Sequence, residues 1–197
     1  FSNCRNIHIE GITIRNSPSW TIHPAFCENV VIRAVTIMNP ADSPNTDGIN
    51  PESCKGVHIS DCFISVGDDC IALKAGVEDE AQDLWKACED IAITNCIMER
   101  GHGGIVFGSE TTGGIRNVVV SNCIFRGTDR GIRLKTRRGR GGGIESIRVS
   151  NCLMESVLSS FTVNMFYGCG AWGNPTVFYK EALPLTTWTP FIRDVHI

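Results

Sequence analysis

The sequence predicts an all-β protein that folds as a parallel β-helix, and three observations lead to this fold class. Four segments of 19 residues align without gaps, at 56–74, 90–108, 117–135 and 146–164. Each segment holds two or three short runs in which apolar and polar residues alternate, separated by Gly, Asn, Asp or Ser. No apolar stripe of helical spacing crosses them. One such unit cannot bury its own apolar face, so the units must stack in parallel.

Two earlier segments, 6–24 and 29–50, show the same pattern more loosely, and the second carries three extra residues. A propeller blade would need longer, meandering strands, and a leucine-rich repeat would need a Leu and Asn spacing that is absent. Two stretches interrupt the period. Residues 75–89 form an acidic insertion that we expect to be a loop or a short helix. Residues 165–197 are rich in Gly, Pro and aromatics before a strand-like pattern resumes in FIRDVHI.

The repeat predicts a single domain over residues 1–197 with about six to seven coils. The chain begins without Met and in the middle of a strand-like pattern. Neither end shows the polar cap that solenoids normally carry. We therefore expect a piece of a longer protein, whose open ends could pair with other strands and form an oligomer.

Composition and charge exclude some functions. The net charge is -3 and 42% of the residues are hydrophobic, as in an ordinary soluble globular protein. No apolar run is long enough for a transmembrane helix, so we expect no membrane partner. Residues 126–140 hold seven basic residues and one acid, which fits a solvated face or a polyanion site. No aromatic residue interleaves with these cations, which argues against nucleic acid. The compartment stays open between secreted, periplasmic and cytoplasmic.

The ten cysteines indicate packing rather than disulfides or a metal centre. Four of them recur in one tripeptide context, at Cys62, Cys96, Cys123 and Cys152. A cysteine at the same place in each repeat predicts a stacked interior column of small apolar side chains. No CxxC pair is present, so the usual metal-ligand spacing is absent.

The alignment also predicts which polar residues meet. The equivalent buried positions are Ile49, Ile71, Ile105 and Ile132. Equivalent positions on stacked coils lie about 4.8 Å apart. This register places Asp47 beside Asp69, whereas Asp68, offset by one residue, stacks toward His102.

Two cations complete this predicted cluster. Ile132 and Leu134 alternate inward, so Arg133 and Lys135 share the outward face of their strand. Taken singly, Asp47 could be a turn residue and His102 a surface residue of a turn. Taken together, stacked carboxylates cost energy and push the protonation states of the group apart, which is typical of functional sites.

Glycoside hydrolysis is the chemistry that this cluster suggests. One carboxyl must give a proton to the leaving oxygen, and one or two must be ionised to activate water. An inverting enzyme leaves a gap of roughly 6.5–9.5 Å between acid and base, which an offset between adjacent coils could supply. The cations would bind the carboxylate of an acidic sugar. We expect neither a metal nor a cofactor in this chemistry.

Four short motifs occur in order on consecutive coils: NTDG at 45–48, GDD at 67–69, GHG at 101–103 and RLK at 133–135. In these motifs the sequence resembles the family 28 glycoside hydrolases, the polygalacturonases and their relatives, which usually have R-I-K in the last motif. The resemblance extends from NSPSWTIHP to NMFYG. It implies a right-handed parallel β-helix and inverting, metal-free hydrolysis of α-1,4-galacturonan, so the expected partner is an acidic polysaccharide or oligosaccharide.

The resemblance also implies roles for the residues of these motifs. Asp68 corresponds to the general acid, and Asp47 and Asp69 correspond to the pair that positions and deprotonates water. His102 would tune or orient the acid. Asn45 would orient the Asp near it in the same motif.

The remaining expected contacts are with the substrate. Arg133 and Lys135 would hold the galacturonate carboxylate at the cleavage site. Tyr167 falls where the family often has a substrate-contacting Tyr, and His23, one coil earlier, could line a further subsite. The loops GSETTGGIRN and KTRRGRGGG resemble those of bacterial members, several of which act from chain ends, so a bacterial origin and exo action are expected.

Three alternatives remain at this stage. One is a rhamnogalacturonan or xylogalacturonan hydrolase of the same family. Another is a pectate lyase, which would use calcium and β-elimination and would leave the GHG motif without a role. The third is a non-catalytic β-helix that binds acidic glycan.

Overall fold

The computed structural model describes residues 1–77, 86–168 and 175–197, and nearly all of its regular structure is β-strand. The strands, in chain order, are β1 (Arg5–Glu10), β2 (Thr13–Arg15), β3 (Glu28–Arg33), β4 (Thr36–Met38), β5 (Lys55–Ser60), β6 (Phe63–Ser65), β7 (Asp69–Leu73), β8 (Cys88–Thr94), β9 (Ile97–Glu99), β10 (Gly103–Phe107), β11 (Ile115–Ser121), β12 (Ile124–Arg126), β13 (Arg130–Lys135), β14 (Gly143–Ser150), β15 (Leu153–Glu155), β16 (Ser159–Asn164) and β17 (Phe191–His196).

These strands form three parallel sheets. The first has seven strands in the order β1-β3-β5-β8-β11-β14-β17, the second has four in the order β16-β13-β10-β7, and the third has six in the order β15-β12-β9-β6-β4-β2. Each aligned segment contributes one strand to each sheet, in the chain order first, third, second. The chain therefore winds as a parallel β-helix, as predicted, and the usual hand of parallel crossovers is right-handed.

The predicted register is confirmed along the second sheet. Ile105 pairs with Ile71 on one side and with Ile132 on the other. Ile49 joins this row through an isolated bridge to Ile71. Residues at equivalent positions of the aligned segments therefore pair between neighbouring strands, because each repeat unit completes one turn of the solenoid.

The tripeptide around the repeated cysteines forms the corner between the first and third sheets. Asp61, Asn95, Asn122 and Asn151 all adopt a left-handed backbone, with φ between 51° and 57°. Asn and Asp tolerate this conformation better than other residues with side chains. Their side chains also bond from coil to coil, as where Asn151 Nδ2 donates to Asn122 Oδ1 at 2.6 Å.

The cysteine that follows each corner residue points into the core, which confirms the predicted column. Cys62, Cys96 and Cys123 are at most 2% exposed. The thiol of Cys96 donates to the backbone carbonyl of Thr94 at 3.3 Å, and the Cys123 thiol donates to Ser121 in the same way. All nine cysteines within the described part of the chain are free thiols.

The two interruptions are described in part. Of the insertion predicted at 75–89, residues 78–85 lie outside the described residues, and Cys88 already belongs to β8. A short 3₁₀ helix, Pro175–Phe178, precedes β17, which is the strand expected in FIRDVHI. No helix within the described ranges has the length and apolar character needed to span a membrane.

Candidate active site

The predicted acidic residues meet at the side of the second sheet where its strands begin. Asp69 is the first residue of β7, and it pairs in register with Gly103 of β10. Asp47 lies two residues before Ile49, which pairs with Ile71, so Asp47 occupies the same position one coil earlier. Asp68 immediately precedes β7. One oxygen from each of these three carboxylates lies within 4.8 Å of the other two.

This spacing of the nearest oxygens is short for three acidic groups, since like charges repel. The cause is the register, because stacked coils bring equivalent carboxylates as close as neighbouring strands. A water that donates to two oxygens at hydrogen-bond distance spans about 4.6 Å. The observed spacing therefore suits a water held between two carboxylates.

Gly103 makes room for this cluster. A Cβ atom at this position would lie 2.4 Å from Val106 Cγ2 and 3.0 Å from Asp69 Oδ1. A side chain at the second glycine of the GHG motif would therefore clash with Val106 and crowd the Asp69 carboxylate.

Asp69 is the most deeply buried of the three acids, at 1% exposure. Lys135 Nζ donates to its Oδ2 at 2.6 Å, and Arg133 Nη1 lies 3.7 Å from its Oδ1. Within the described residues Oδ1 has no hydrogen-bond partner. Burial alone would lower the pKa of Lys135, but the Asp69 carboxylate outweighs it and the pKa is raised. The Lys135 ammonium is therefore held in its charged form.

Asp47 is 3% exposed and lies in a different electrostatic setting. Burial raises its pKa to about 6, Lys74 opposes this rise, and the carboxylates of Asp69 and Asp68 add to it. Asn50 Nδ2 donates to Asp47 Oδ2 at 2.8 Å and so favours the ionised form. Asp47 thus exchanges a proton at mildly acidic pH.

Asp68 is the accessible acid, with 23% of its side chain exposed. His102 Nδ1 lies 3.4 Å from Asp68 Oδ1, as the register predicted. The backbone N–H of Asn45 donates to Asp68 Oδ2 at 3.3 Å. Asn45 therefore contacts Asp68, whereas the Asp of its own motif is oriented by Asn50.

Tyr167 lies over the two cations of β13. The centre of its ring is 4.9 Å from Lys135 Nζ and 5.4 Å from Arg133 Cζ, within the range of cation–π attraction. Its ring also lines the cavity that contains the three carboxylates. The predicted substrate-contacting position is therefore next to the acids.

His23 lies apart from this cluster. Its Nε2 is 2.8 Å from Glu52 Oε2, and its ring meets Trp20 edge-on at 4.9 Å between centroids. It lines a separate cavity together with Ile22, which is joined to Ile49 by an isolated bridge. Any contact of His23 with substrate would be one coil away from the acids.

Four residues that line the cavity were not predicted: Trp20, Lys74, Ser109 and Glu110. Lys74 Nζ lies 2.9 Å from Glu110 Oε2 and 4.3 Å from the centre of the Trp20 ring. The repeat held a signal for Lys74, since it follows Ile71 by three residues as Lys135 follows Ile132. No comparable spacing marks the other three, because Trp20 lies in a segment that follows the repeat only loosely and Ser109 and Glu110 follow the end of an aligned segment.

The three carboxylates could in principle offer oxygen ligands to a divalent cation, which prefers such donors. Lys135 already occupies one oxygen of Asp69, and Lys74 is a second buried ammonium in the same cavity. These two fixed positive charges repel a metal ion. The donor set therefore fits acid and base chemistry better than metal binding.

The sequence profile described as glycosyl hydrolases family 28 matches residues 1–178. Over 84% of its length the chain is 36% identical to a probable polygalacturonase of Vitis vinifera. It is also similar to the crystal structure of a hyperthermoactive exopolygalacturonase from Thermotoga maritima, with a TM-score of 0.82, 38% identity and 85% of this chain covered. A family 28 exopolygalacturonase of Yersinia enterocolitica matches with a TM-score of 0.81 and 26% identity over 97% of this chain.

The chain spans only about a third of the length of these proteins. It covers 34% of the grape protein, 38% of the Thermotoga chain and 32% of the Yersinia chain. The curated relatives are plant proteins and the solved structures are bacterial, so the expected bacterial origin stays a prediction.

Proposed function

The chain belongs to family 28 of the glycosyl hydrolases, and from this premise we propose that it hydrolyses α-1,4-galacturonosyl linkages in polygalacturonate by acid and base catalysis. The observation that carries the proposal is the cluster of three carboxylates with oxygens within 4.8 Å, one of them bound to a buried lysine. The names of the relatives point to the same substrate.

Position assigns the general acid to Asp68. The proton donor must reach the glycosidic oxygen of a bound chain, and Asp68 is the exposed member of the three, with His102 beside it. Asp47 has the raised pKa, yet its side chain is buried below the opening. The assignment therefore follows the exposure of the Asp68 side chain and not the raised pKa of Asp47.

Asp47 and Asp69 would together hold and deprotonate the attacking water. Both are buried, and Asp69 is fixed by Lys135, so neither is free to bond covalently to a sugar carbon. We therefore propose inversion of configuration, although a short separation of carboxylates alone would favour retention. Proton NMR of the anomer formed first tests this: retained configuration would refute the water-holding role.

Arg133 and Tyr167 are the better candidates for contact with the substrate carboxylate. Lys135 is committed to Asp69 at 2.6 Å, whereas Arg133 is 3.7 Å from the same carboxylate and 13% of its side chain is exposed. A guanidinium can bind two carboxylate oxygens at once, which suits a galacturonate. Lys135 would then act mainly on Asp69.

The reaction type can be tested with polygalacturonate in the presence of EDTA, by following new reducing ends and ultraviolet absorbance together. Hydrolysis produces reducing ends without the absorbance of unsaturated products. Absorbance that needs calcium would instead show a lyase, and no product from any pectic substrate would favour a binding module. Rhamnogalacturonan and xylogalacturonan, assayed in parallel, test the other substrates.

Exo action is the finer part of this proposal, and two similar structures are named exopolygalacturonases. Product sizes from a defined oligogalacturonide test it. Monomers or dimers from the first minutes support exo action, and a ladder of intermediate sizes would support endo action. Asp61→Asn, a substitution at an outer corner, is the control for the preparation, since Asp61 lies outside the cavity.

A further inference from the structure

Lys74 is a buried cation that the proposed reaction does not yet use. It follows Leu73 at the end of β7 and is 4% exposed. Leu73 pairs with Phe107, and Phe107 pairs with Leu134, so the next position in each coil is Lys74, Gly108 and Lys135. Lys74 therefore occupies the repeat position of Lys135 two coils earlier. Gly108 between them carries no side chain, which leaves both ammonium groups facing the same cavity.

Two neighbours clamp the Lys74 ammonium. Glu110 Oε2 accepts its hydrogen bond at 2.9 Å, and the Trp20 ring lies 4.3 Å away. Burial would raise the pKa of Glu110, but the adjacent Lys74 ammonium lowers it, so the Glu110 carboxyl is held in its ionised form. A lysine held on two sides cannot swing out to solvent, so its charge acts at a fixed place.

Asp47 lines the same cavity as Lys74 and as the carboxylates of Asp68 and Asp69. Asp68 immediately precedes β7, Asp69 begins that strand and Lys74 follows it. The other charged groups of the site have partners of their own: Arg133 and Lys135 contact Asp69, His102 contacts Asp68, and Glu110 contacts Lys74. Lys74 lowers the pKa of Asp47 against the effect of burial.

We propose that Lys74, clamped by Glu110 and Trp20, is a positioning residue that keeps Asp47 ionised, and so sets the lowest pH at which the site can activate water. The equivalent position of Lys135 supports this, because each lysine would then act on one of the two carboxylates that hold the water: Lys135 on Asp69, and Lys74 on Asp47. This inference rests on the proposed function, since Asp47 is there assigned to activating water.

Removal of Lys74 should make Asp47 harder to ionise. An opposite charge within about 4–6 Å changes a carboxyl pKa by about 1–3 units, so loss of this ammonium should raise the titration midpoint of Asp47 by about one unit. Water activation would then require a pH higher by the same amount. At pH values below the midpoint, turnover should fall about tenfold, because the ionised fraction falls tenfold for each pH unit.

The test compares the wild type with Lys74→Met/Glu110→Gln, which removes both charges of the pair and keeps the side-chain volumes. The carboxyl carbon of Asp47 is followed by ¹³C NMR from pH 4 to pH 9 and is assigned with Asp47→Asn. We expect the midpoint to move from about 6 to about 7. The control is Lys55→Met, which removes an exposed lysine paired with Glu89 and should leave the midpoint unchanged.

An unchanged midpoint in a folded double variant would overturn the proposal. Should that variant fail to fold, Lys74→Arg and Glu110→Gln are studied singly. Neither should raise the midpoint, because both retain a cation at position 74, and a rise in either would also overturn the proposal. Where turnover is measurable, the acidic limb of kcat should move with the midpoint. A moved midpoint in a protein that cleaves no pectic substrate would support the coupling and reject the hydrolase function, so the two failures are distinguishable.

Discussion

Two columns of residues cross the same coils and follow opposite rules. The cysteine column (Cys62, Cys96, Cys123 and Cys152) repeats one residue type at every step. The site column (Asp47, Asp69, Gly103 and Arg130) changes residue type at nearly every step, although its register is the same. Identical neighbours stack well in a solenoid because each coil packs only on the next. A column that departs from repetition gives up that packing, and in this protein the departure coincides with the candidate chemistry.

The largest expected effect comes from the exposed acid beside the site column. Asp68→Asn removes the proposed proton donor, so turnover should fall by about 10²–10⁴-fold. Thermal unfolding should change little, because the side chain is partly exposed. Reducing-end assays and circular dichroism measure the two quantities. Wild-type turnover in this variant would show that Asp68 takes no part in the reaction. The control is Asp61→Asn, which removes an exposed carboxylate outside the cavity.

The next effect concerns the buried charge of Asp69, a member of the site column. Lys135→Met leaves Asp69 buried without its hydrogen-bonded cation, and removal of one partner of a buried pair typically costs about 3–5 kcal/mol of unfolding free energy. Urea denaturation at pH 7 measures this loss. The double variant Lys135→Met/Asp69→Asn should recover most of it. If the single variant is as stable as the wild type, the pair does not stabilise Asp69.

Asp47 should reveal a cost that the site imposes on the fold. Its pKa is about 6 in the folded protein against an ordinary 3.8, so the folded state binds more protons between these values. Stability therefore falls as pH rises through this range, by up to about 3 kcal/mol above pH 6. Asp47→Asn removes the penalty. This variant should be more stable than the wild type at pH 8 and equal to it near pH 4; a constant difference would contradict the shift.

The smallest effect is expected in the cysteine column. Cys96→Ala removes one buried sulfur from a regular stack, which should cost about 1 kcal/mol of unfolding free energy and leave turnover per folded molecule unchanged. Thiol titration under native conditions sharpens the comparison. Burial raises the pKa of the Cys54 thiol to about 11, so it should resist modification at pH 8, while the part-exposed Cys4 and Cys152 react. A loss of turnover in Cys96→Ala would link the two columns.

The fold could be predicted from the sequence because stacking turns repeat spacing directly into contact. The alignment predicted that Ile71, Ile105 and Ile132 are equivalent, and Ile105 pairs with the other two on neighbouring strands. The same logic placed Asp69 opposite Gly103. The corner residues, such as Asn95 and Asn122, show why the tripeptide recurs: one residue makes the turn and the next enters the core.

Contacts outside the repeat could not be read in this way. Trp20 lies in a segment that follows the repeat only loosely, and Glu110 lies beyond the end of its segment, so no spacing predicts that they line the cavity. The role of Asn45 was expected toward its own motif, yet its backbone meets Asp68 instead. The direction of a loop backbone depends on packing that only the folded chain contains.

The stacked architecture also decides how the molecule comes apart. In a solenoid, stability adds up from neighbour to neighbour, so opening begins where a coil has one neighbour and proceeds inward like a zipper. The candidate site lies on β7, β10 and β13, with further coils on both sides in the first sheet. β10 pairs with β7 on one side and with β13 on the other, so its amide hydrogens should exchange with solvent only when these coils separate. The catalytic geometry is therefore protected by strand pairing on both sides of β10.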